Sequence, residues 1–370
     1  MRMIFQRAAL ASAFQTVAGV VPTRTPKPVL QNVKLQAMQG EATLIGTDQE
    51  VGIRCKLTDV DVQAAGEVLL PTNRVLAILR ELRGDTIGVE ADEKQVVIRA
   101  DHAEYKLPVE DPVEFPTVAE FAGEDYFVVQ GGLLKQMIKR TVFATDPEST
   151  RYALGGVLMD INGDNLSLVA TDTRRLALTE GKCSKKGDAK AGTSTPVIPT
   201  KALSLIERSV TDDAAEIHMI VNANDVLIRC GGSTIYSRLV EGRFPRYRDV
   251  IPNGAKVKID LAAGSFYSAV RQAQIVTSEE SRGVIFTFGP GMISMNSSVA
   301  DVGQSRVELP ISYDGPEVKI NFDPRFVADF LKVLEPEQNL SVELIDSESA
   351  ALFRTQDGYS YIVMPLSMDR

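Results

Sequence analysis

The carboxylates with the best claim to chemistry are Asp48 and Asp172. Each follows a threonine at the end of an apolar run, in LIGTD and LVATD. Two aspartates at equivalent places could hold a metal ion for phosphoryl transfer. That reading makes the chain a metal-dependent nuclease or phosphotransferase. An aspartate at a strand end also caps a turn through its own side chain. A third run of the same kind has Ser297 and Ser298 instead, so a repeated catalytic pair is not sustained. Other reactive groups are sparse. His218 alternates with apolar neighbours in EIHMIV, the pattern of a structural histidine, and His102 is the second of two. Cys55, Cys183 and Cys230 are far apart and odd in number, with no metal-ligand spacing. They read as small buried hydrophobes in a reducing compartment. No Gly-rich phosphate loop, HExxH or GxSxG occurs, and no cofactor or metal is implied.

These runs belong to one unit written three times. The anchors are PVLQNVKLQAMQGEATLIGTD (Pro28 to Asp48), RYALGGVLMDINGDNLSLVATD (Arg151 to Asp172) and SRGVIFTFGPGMISMNSS (Ser281 to Ser298). Later in each copy come a strand, a proline and a helix, in EVLLPTNRVLAILREL, TPVIPTKALSLIERSV and EVKINFDPRFVADFLKVL. Each copy divides again. Asn-Gly and Asn-Asp between apolar runs mark hairpins. Leu203, Ile206 and Val210 recur at helical spacing, as do Leu133, Leu134, Met137 and Ile138. Asn73, Thr200 and Asp323 lie near helix starts, and Asp323 precedes a proline in the favoured first position. The reading is an α+β chain of three similar domains, 1–122, 123–252 and 253–370, each built from two strand–helix–strand–strand–strand halves. Boundaries fall after VEDPVEFPTVAEF and GRFPRYRDVIPNG, which share a Phe-Pro pair. Trp is absent and aromatics are 6%, so Val, Ile, Leu and Ala are expected to fill each core.

The charge is uneven. The chain carries a net −9. The six predicted helices (6–20, 72–83, 131–143, 200–210, 261–276 and 324–334) hold 12 basic residues and 3 acidic ones, a net +9 that leaves −18 elsewhere. Helices that share one surface would make it positive on an acidic body. Duplex DNA, with one phosphate per ~1.7 Å of axis, would be drawn there without sequence preference and repelled elsewhere. Strands pack their apolar sides on helices, so six helices on one side leave the sheets outside. Six equivalent halves suggest a curved body, and two such bodies pairing their exposed sheet edges head to tail could close a ring. The N-terminal MRMIFQRAALASAF is broken by Gln6 and Arg7 and is too short for a signal peptide or membrane span. A cytoplasmic protein is expected.

Three further strings carry a resemblance: VATDTRRLAL (Val169 to Leu178), VEGRFPRYRDVIP (Val240 to Pro252) and YIVMPL (Tyr361 to Leu366). In this order, on a threefold repeat, the chain resembles the bacterial DNA polymerase III beta subunit, the sliding clamp family, over essentially all its residues. The resemblance implies a non-catalytic head-to-tail homodimer closing a ring, its helices lining a channel for duplex DNA and its sheets outside. It implies partners that dock short peptides: the polymerase III catalytic subunit, the clamp loader, and other replication and repair proteins. No membrane is involved. Carried over by motif, the peptide pocket comprises Leu154, Thr171, Thr173, Arg174, Arg175, Leu176, Pro245, Val250, Ile362, Val363, Met364, Pro365 and Leu366. Such aliphatic and methionine side chains suit peptide capture. DNA contacts would come from Arg24 and Lys27 in VVPTRTPKP, from Arg151 and Tyr152, and from the helix residues Arg74, Arg80, Lys135, Lys139 and Lys201. The dimer interface would involve Tyr105, Ile275 and Val276, with the edge strand around Ala100 to Leu107 pairing near Met292 to Val307. Three features depart from the family pattern. Thr173-Arg174 stand where relatives often have Gly-His, Arg246 and Asp249 reverse the expected acid–base order, and SMDR follows MPL.

Overall fold

The structure, a computed structural model, describes residues 1–38, 40–149, 152–189, 196–279 and 281–367. Six halves recur in chain order. The first is β1 (Arg2–Gln6), α1 (Arg7–Ala18), β2 (Asn32–Met38), β3 (Glu41–Thr47) and β4 (Val51–Leu57), followed by a short β5 (Val60–Ala64). The second is β6 (Gly66–Pro71), α2 (Thr72–Glu81), β7 (Thr86–Ala91), β8 (Gln95–Ala100) and β9 (Ala103–Pro108). The third is β10 (Tyr126–Gln130), α3 (Gly131–Thr141), β11 (Gly156–Asn162), β12 (Asn165–Thr171) and β13 (Arg175–Lys182), followed by a short β14 (Ser184–Lys186). The fourth is β15 (Val197–Pro199), α4 (Thr200–Ser209), β16 (Glu216–Val221), β17 (Asp225–Cys230) and β18 (Ser233–Arg238). The fifth is β19 (Val257–Ala262), α5 (Ala263–Ala273), β20 (Val284–Gly289), β21 (Met292–Val299) and β22 (Gly303–Pro310). The sixth is β23 (Val318–Phe322), α6 (Pro324–Lys332), β24 (Asn339–Leu344), β25 (Ala351–Thr355) and β26 (Tyr359–Val363).

The chain forms two compact units, Met1–Lys135 with Cys183–Leu239, and Gln136–Lys182 with Val240–Arg370. In the first, one sheet runs β5-β1-β7-β8-β9 and the other β14-β10-β16-β17-β18-β4-β3-β2-β6. In the second, β11-β12-β13-β26-β25-β24-β19 are neighbours, and a smaller sheet runs β22-β21-β20-β23. Two pairing rules recur. The first strand of a half joins its sister half: β1 with β7, β6 with β2, β19 with β24, β23 with β20. The last strand of a half joins another last strand: β4 with β18, from Val51↔Ser237 to Cys55↔Ser233, and β13 with β26, from Arg175↔Val363 to Thr179↔Tyr359. Two last strands, β9 and β22, remain as sheet edges.

The helices lie on these sheets through apolar stripes. α1 buries Leu10, Phe14 and Val17. It approaches β3 so closely that a Cβ on Gly46 would lie 2.8 Å from Val17 Cγ1, which only glycine avoids. α1 also packs against α2 and α4, and α5 packs against α6. Of the three candidate caps, Asp323 of α6 acts as one: it accepts from Arg325 N at 3.1 Å, with Pro324 in the first turn. At α2 and α4, Pro71 and Pro199 occupy the cap position, so the candidates Asn73 and Thr200 are already helical. The third and fifth helices end in 3-10 turns, Val142–Ala144 and Gln274–Val276, which shortens them relative to their sequence spans.

The expected aliphatic core needs correction in the last two halves. Phe330 stacks on Tyr361 at 5.0 Å and meets Tyr359 at 5.1 Å and Phe353 at 5.5 Å. Phe286 meets Phe322 at 5.4 Å. Aromatics are few but gathered here, and each such pair adds about 0.5–1.5 kcal/mol beyond area burial.

Candidate functional site

The two Thr-Asp strings form the same turn. After β3, Asp48 Oδ1 accepts from Glu50 N at 3.0 Å and Val51 N at 2.8 Å. After β12, Asp172 Oδ1 accepts from Arg174 N and Arg175 N, both at 2.9 Å. The preceding threonine hydroxyls donate across each turn, Thr47 to Val51 O at 2.8 Å and Thr171 to Arg175 O at 2.6 Å. Both turns force a left-handed residue, Gln49 at φ 81° and Thr173 at φ 76°. The remaining carboxylate oxygens are ion-paired, Asp48 with Lys201 and Asp172 with Arg175. Among the described residues no three His, Cys, Asp or Glu side chains gather as a metal site. The nuclease or phosphotransferase reading of Asp48 and Asp172 is therefore overturned: both carboxylates close turns. Burial pushes the Cys230 thiol up to about 12 and raises Cys55, so both stay protonated at neutral pH.

The turn at Asp172 opens into a site. Pairing of β13 with β26 sets Arg175 opposite Val363 and Leu176 opposite Ile362. Met364 N then donates to Arg174 O at 2.8 Å, and Leu366 N to Asn321 O at 2.7 Å. These bonds hold the C-terminal run against β13 and β23. Leu176, Ile362 and Val363 are buried as its floor, Pro365 and Leu366 are half-buried, and Met364 stays 47% exposed. Arg175 organises the surroundings. Its guanidinium reaches Asp172 at 2.9 Å, Asp329 of α6 at 2.6 Å and the Phe143 carbonyl at 2.8 Å. It also lies over the Phe326 ring at 4.5 Å. Burial opposes its charge, but Tyr361, Asp329 and Asp172 raise its pKa above the ordinary arginine value. Arg174 is exposed and lies over the same Phe326 ring at 5.4 Å.

A groove of about 440 Å³ brings Leu154 to Pro245, with Ala153, Arg243, Phe244 and Arg246 completing its lining. Asp146 N donates to Leu154 O at 2.8 Å, tying this wall to the segment that carries Phe143. Val250 ends the following 3-10 turn, 55% exposed. Sequence reasoning missed Phe143, Phe326 and Asp329, whose only signals were an apolar pattern and one helix charge. It also missed Arg243 and Phe244, which stand inside the quoted GRFPRYR string.

The basic residues divide. Arg24, Arg74, Arg80 and Lys139 are exposed. Lys27 is exposed and donates to Gln49 Oε1 at 3.2 Å. Lys135 lies 3.5 Å from Asp213, and Lys201 bonds both Asp48 and the Val20 carbonyl. Arg151 and the Tyr152 side chain lie outside the described residues. Arg140 departs from the helix charge count: it is buried on α3 and paired with Asp357 at 2.7 Å. Ile275 is 74% exposed beside Arg271, Gln272 and Arg325, Val276 is half-buried next to it, and Tyr105 is half-buried on the edge strand β9. Among the described residues no helix is long and apolar enough to cross a membrane.

Family models of the DNA polymerase III beta subunit match in order: N-terminal domain over residues 1–119, central domain over 128–246 and C-terminal domain over 248–367. A beta sliding clamp of Pseudomonas aeruginosa is 30% identical over 372 residues, covering 100% of both chains. One from Chlamydia muridarum is 27% identical over 369 residues, covering 100% of this chain and 99% of that one. A solved P. aeruginosa sliding clamp bound to griselimycin matches with a TM-score of 0.92 and 28% identity over 100% of both chains. A Bacillus subtilis clamp matches at 0.91 and 25%, covering 100% of this chain and 99% of that one. With every third of the sequence matched in order, the chain belongs to the DNA polymerase III beta subunit family, the beta sliding clamps, which are non-catalytic processivity factors of DNA replication.

Proposed function

We propose that two copies of this chain close head to tail into a ring on duplex DNA and tether replication proteins through the Arg175–Met364 site. The observation that carries closure is the pair of unmatched last strands. β4 joins β18 and β13 joins β26, which leaves β9 and β22 as sheet edges. Long exposed edges are a liability unless another chain covers them. Joining β9 of one copy to β22 of the next repeats the rule that already operates inside the chain, and a heterologous contact closes when the rotation permits. Ile275, Val276 and Tyr105 would pack beside that junction. The domains are 1–122, 123–252 and 253–370, close to the matched family segments.

Arg24, Lys27, Arg74, Arg80, Lys135 and Lys139 supply phosphate contacts, with Arg151, Tyr152 and Lys201 as further members. Packing of α1 on both α2 and α4 supports one continuous helix face in the first unit. Such contacts are weak and independent of sequence, so the ring slides. The polymerase III catalytic subunit, the clamp loader and other replication or repair proteins bring linear peptides to the apolar floor at Leu176, Ile362 and Val363. The compartment is the cytoplasm, a reducing one in which the thiols of Cys55 and Cys230 persist. Closure is tested by Ile275→Asp. This solvent-facing change leaves the fold intact and should convert the dimer mass in solution to monomer. A folded variant that stays dimeric removes Ile275 from the junction.

A further inference from the structure

The repeat builds a second groove in the first unit, at the place in the unit that the Leu154 groove occupies in its own. In both copies a 3-10 turn leads into the second strand of a half, Pro28–Gln31 before β2 and Tyr152–Gly155 before β11. A Phe-Pro pair lies against each turn, Phe115-Pro116 in the first copy and Phe244-Pro245 in the second. The first-copy groove has a volume of about 480 Å³ and apolar walls from Pro26, Pro28, Val29 and Pro116. Val29 packs on the buried cluster of Ile45, Leu69, Phe115 and Val118, so the floor is preformed. The rim is inverted in sign. Glu114 precedes Phe-Pro where Arg243 does in the other copy, and Glu110 and Asp111 join it. All three acids are exposed. Among the described residues none of them has a cation within ion-pair distance, whereas Glu120, next along the segment, is paired with Arg54 at 2.5 Å. Lys27 lines the same groove but donates to Gln49 Oε1 at 3.2 Å. Val113, on the turn that carries Glu114, is left 85% exposed. The acids do not gather as a cation site, since no three metal-ligating side chains converge among the described residues.

We infer that this groove is a second docking site, for an extended peptide that sets Lys or Arg beside an aliphatic side chain. This rests on the Leu154 groove being a peptide site, of which it is the internal counterpart. Three proline rings and a valine make walls that take an aliphatic side chain and lose little freedom when they do. The uncompensated carboxylates supply the counter-charge for the flanking cation. They also repel an acidic peptide and a phosphate backbone, which removes DNA as the occupant. Rim charge sets partner choice more than raw affinity, so grooves of equal shape and opposite sign receive different segments.

The test uses short labelled peptides with one central leucine flanked by two Lys, two Gln or two Glu, titrated into the full chain at low and physiological salt. The Lys peptide is expected to bind roughly 3–10-fold more tightly than the Gln peptide, and the Glu peptide most weakly. In E110Q/E114Q, two exposed and isosteric changes, the Lys and Gln peptides should converge with Gln-peptide affinity unchanged. A Lys preference that survives in this variant overturns the assignment, because the acidic body at large then attracts the peptide. Equal binding when the leucine is replaced by serine overturns it too, by leaving the apolar walls without a role. So does a dimer that falls to monomer in E110Q/E114Q, which gives the groove to a second copy of the chain. An acid-free leucine–phenylalanine peptide, the probe of the Leu154 groove, should not displace the Lys peptide, and displacement would assign both to one groove. If that probe does not bind at all, the Leu154 reading fails instead, and a Lys preference lost in E110Q/E114Q still upholds the groove at Val29.

Discussion

Cutting the Arg140–Asp357 pair from its two ends should have unequal costs. Arg140 lies on α3 and Asp357 in the turn between β25 and β26, so the pair fastens the central part of the chain to its last hairpin. The Nη2–Oδ2 distance is 2.7 Å, with side chains 2% and 44% exposed. The guanidinium also lies 5.0 Å from the Tyr359 ring centroid, and Tyr359 OH donates to the Arg140 carbonyl at 2.7 Å. Among the described residues Arg140 Nε has no hydrogen-bond partner. Asp357→Ala therefore strands a nearly inaccessible charge, at a cost of about 3–5 kcal/mol. Arg140→Met leaves a carboxylate that can rehydrate and that keeps Thr355 and Gln338 as donors, at a cost of about 1–2 kcal/mol. The R140M/D357A double variant should sit near R140M, well above D357A. Hydrogen exchange of the β26 amides reads the local opening free energy without assuming that a multi-domain chain unfolds in one step. The pair also has a pH signature. Burial pushes the Asp357 carboxyl up, but the Arg140 and Thr355 hydrogen bonds outweigh it and hold it below the usual range. A depressed folded value means that the contribution is complete above the unfolded value near ~3.9 and disappears as pH falls through the folded one. Stability should thus be flat through neutrality and fall only in acid. If Arg140→Met costs as much as Asp357→Ala, the burial asymmetry is not what governs the pair.

Two other outcomes follow from single features. Thr173 is β-branched at φ 76°, a conformation costing about 1–2 kcal/mol that glycine avoids. After glycine's larger unfolded entropy, Thr173→Gly should stabilise by about 0.5–1 kcal/mol, and a lower melting temperature would show that the turn is not strained. Reversing Arg24, Lys135 and Lys139 to Glu should flatten the salt dependence of DNA binding, by about 0.9 in log–log slope for each phosphate the protein no longer neutralises. An unchanged slope in a folded variant takes these residues off the DNA face.

Much of the architecture was legible because each half repeats its own punctuation. Hairpin dipeptides, helical spacing and strand-ending prolines recur along the chain, so local signals corroborate one another. The readings that changed depended on distant partners. Nothing near Arg140 in sequence distinguishes it from Lys139, and its partner Asp357 lies 217 residues away. Asp48 and Asp172 were matched by sequence, but only the backbone N–H groups around them show that both close turns. The site was half visible. Motifs named Arg175 and Val363, whereas strand pairing and Asp329 of α6 reveal why they meet.

Encirclement is the central claim, and DNA topology tests it most directly. The protein should be loaded by its clamp loader onto circular duplex and onto the same duplex linearised, then separated from free protein by gel filtration at physiological salt. A sliding ring stays on the circle and runs off the open ends, because its phosphate contacts alone are weak, with Kd on the order of 10⁻⁴–10⁻⁶ M. Equal retention on both forms would show that the protein grips DNA without surrounding it.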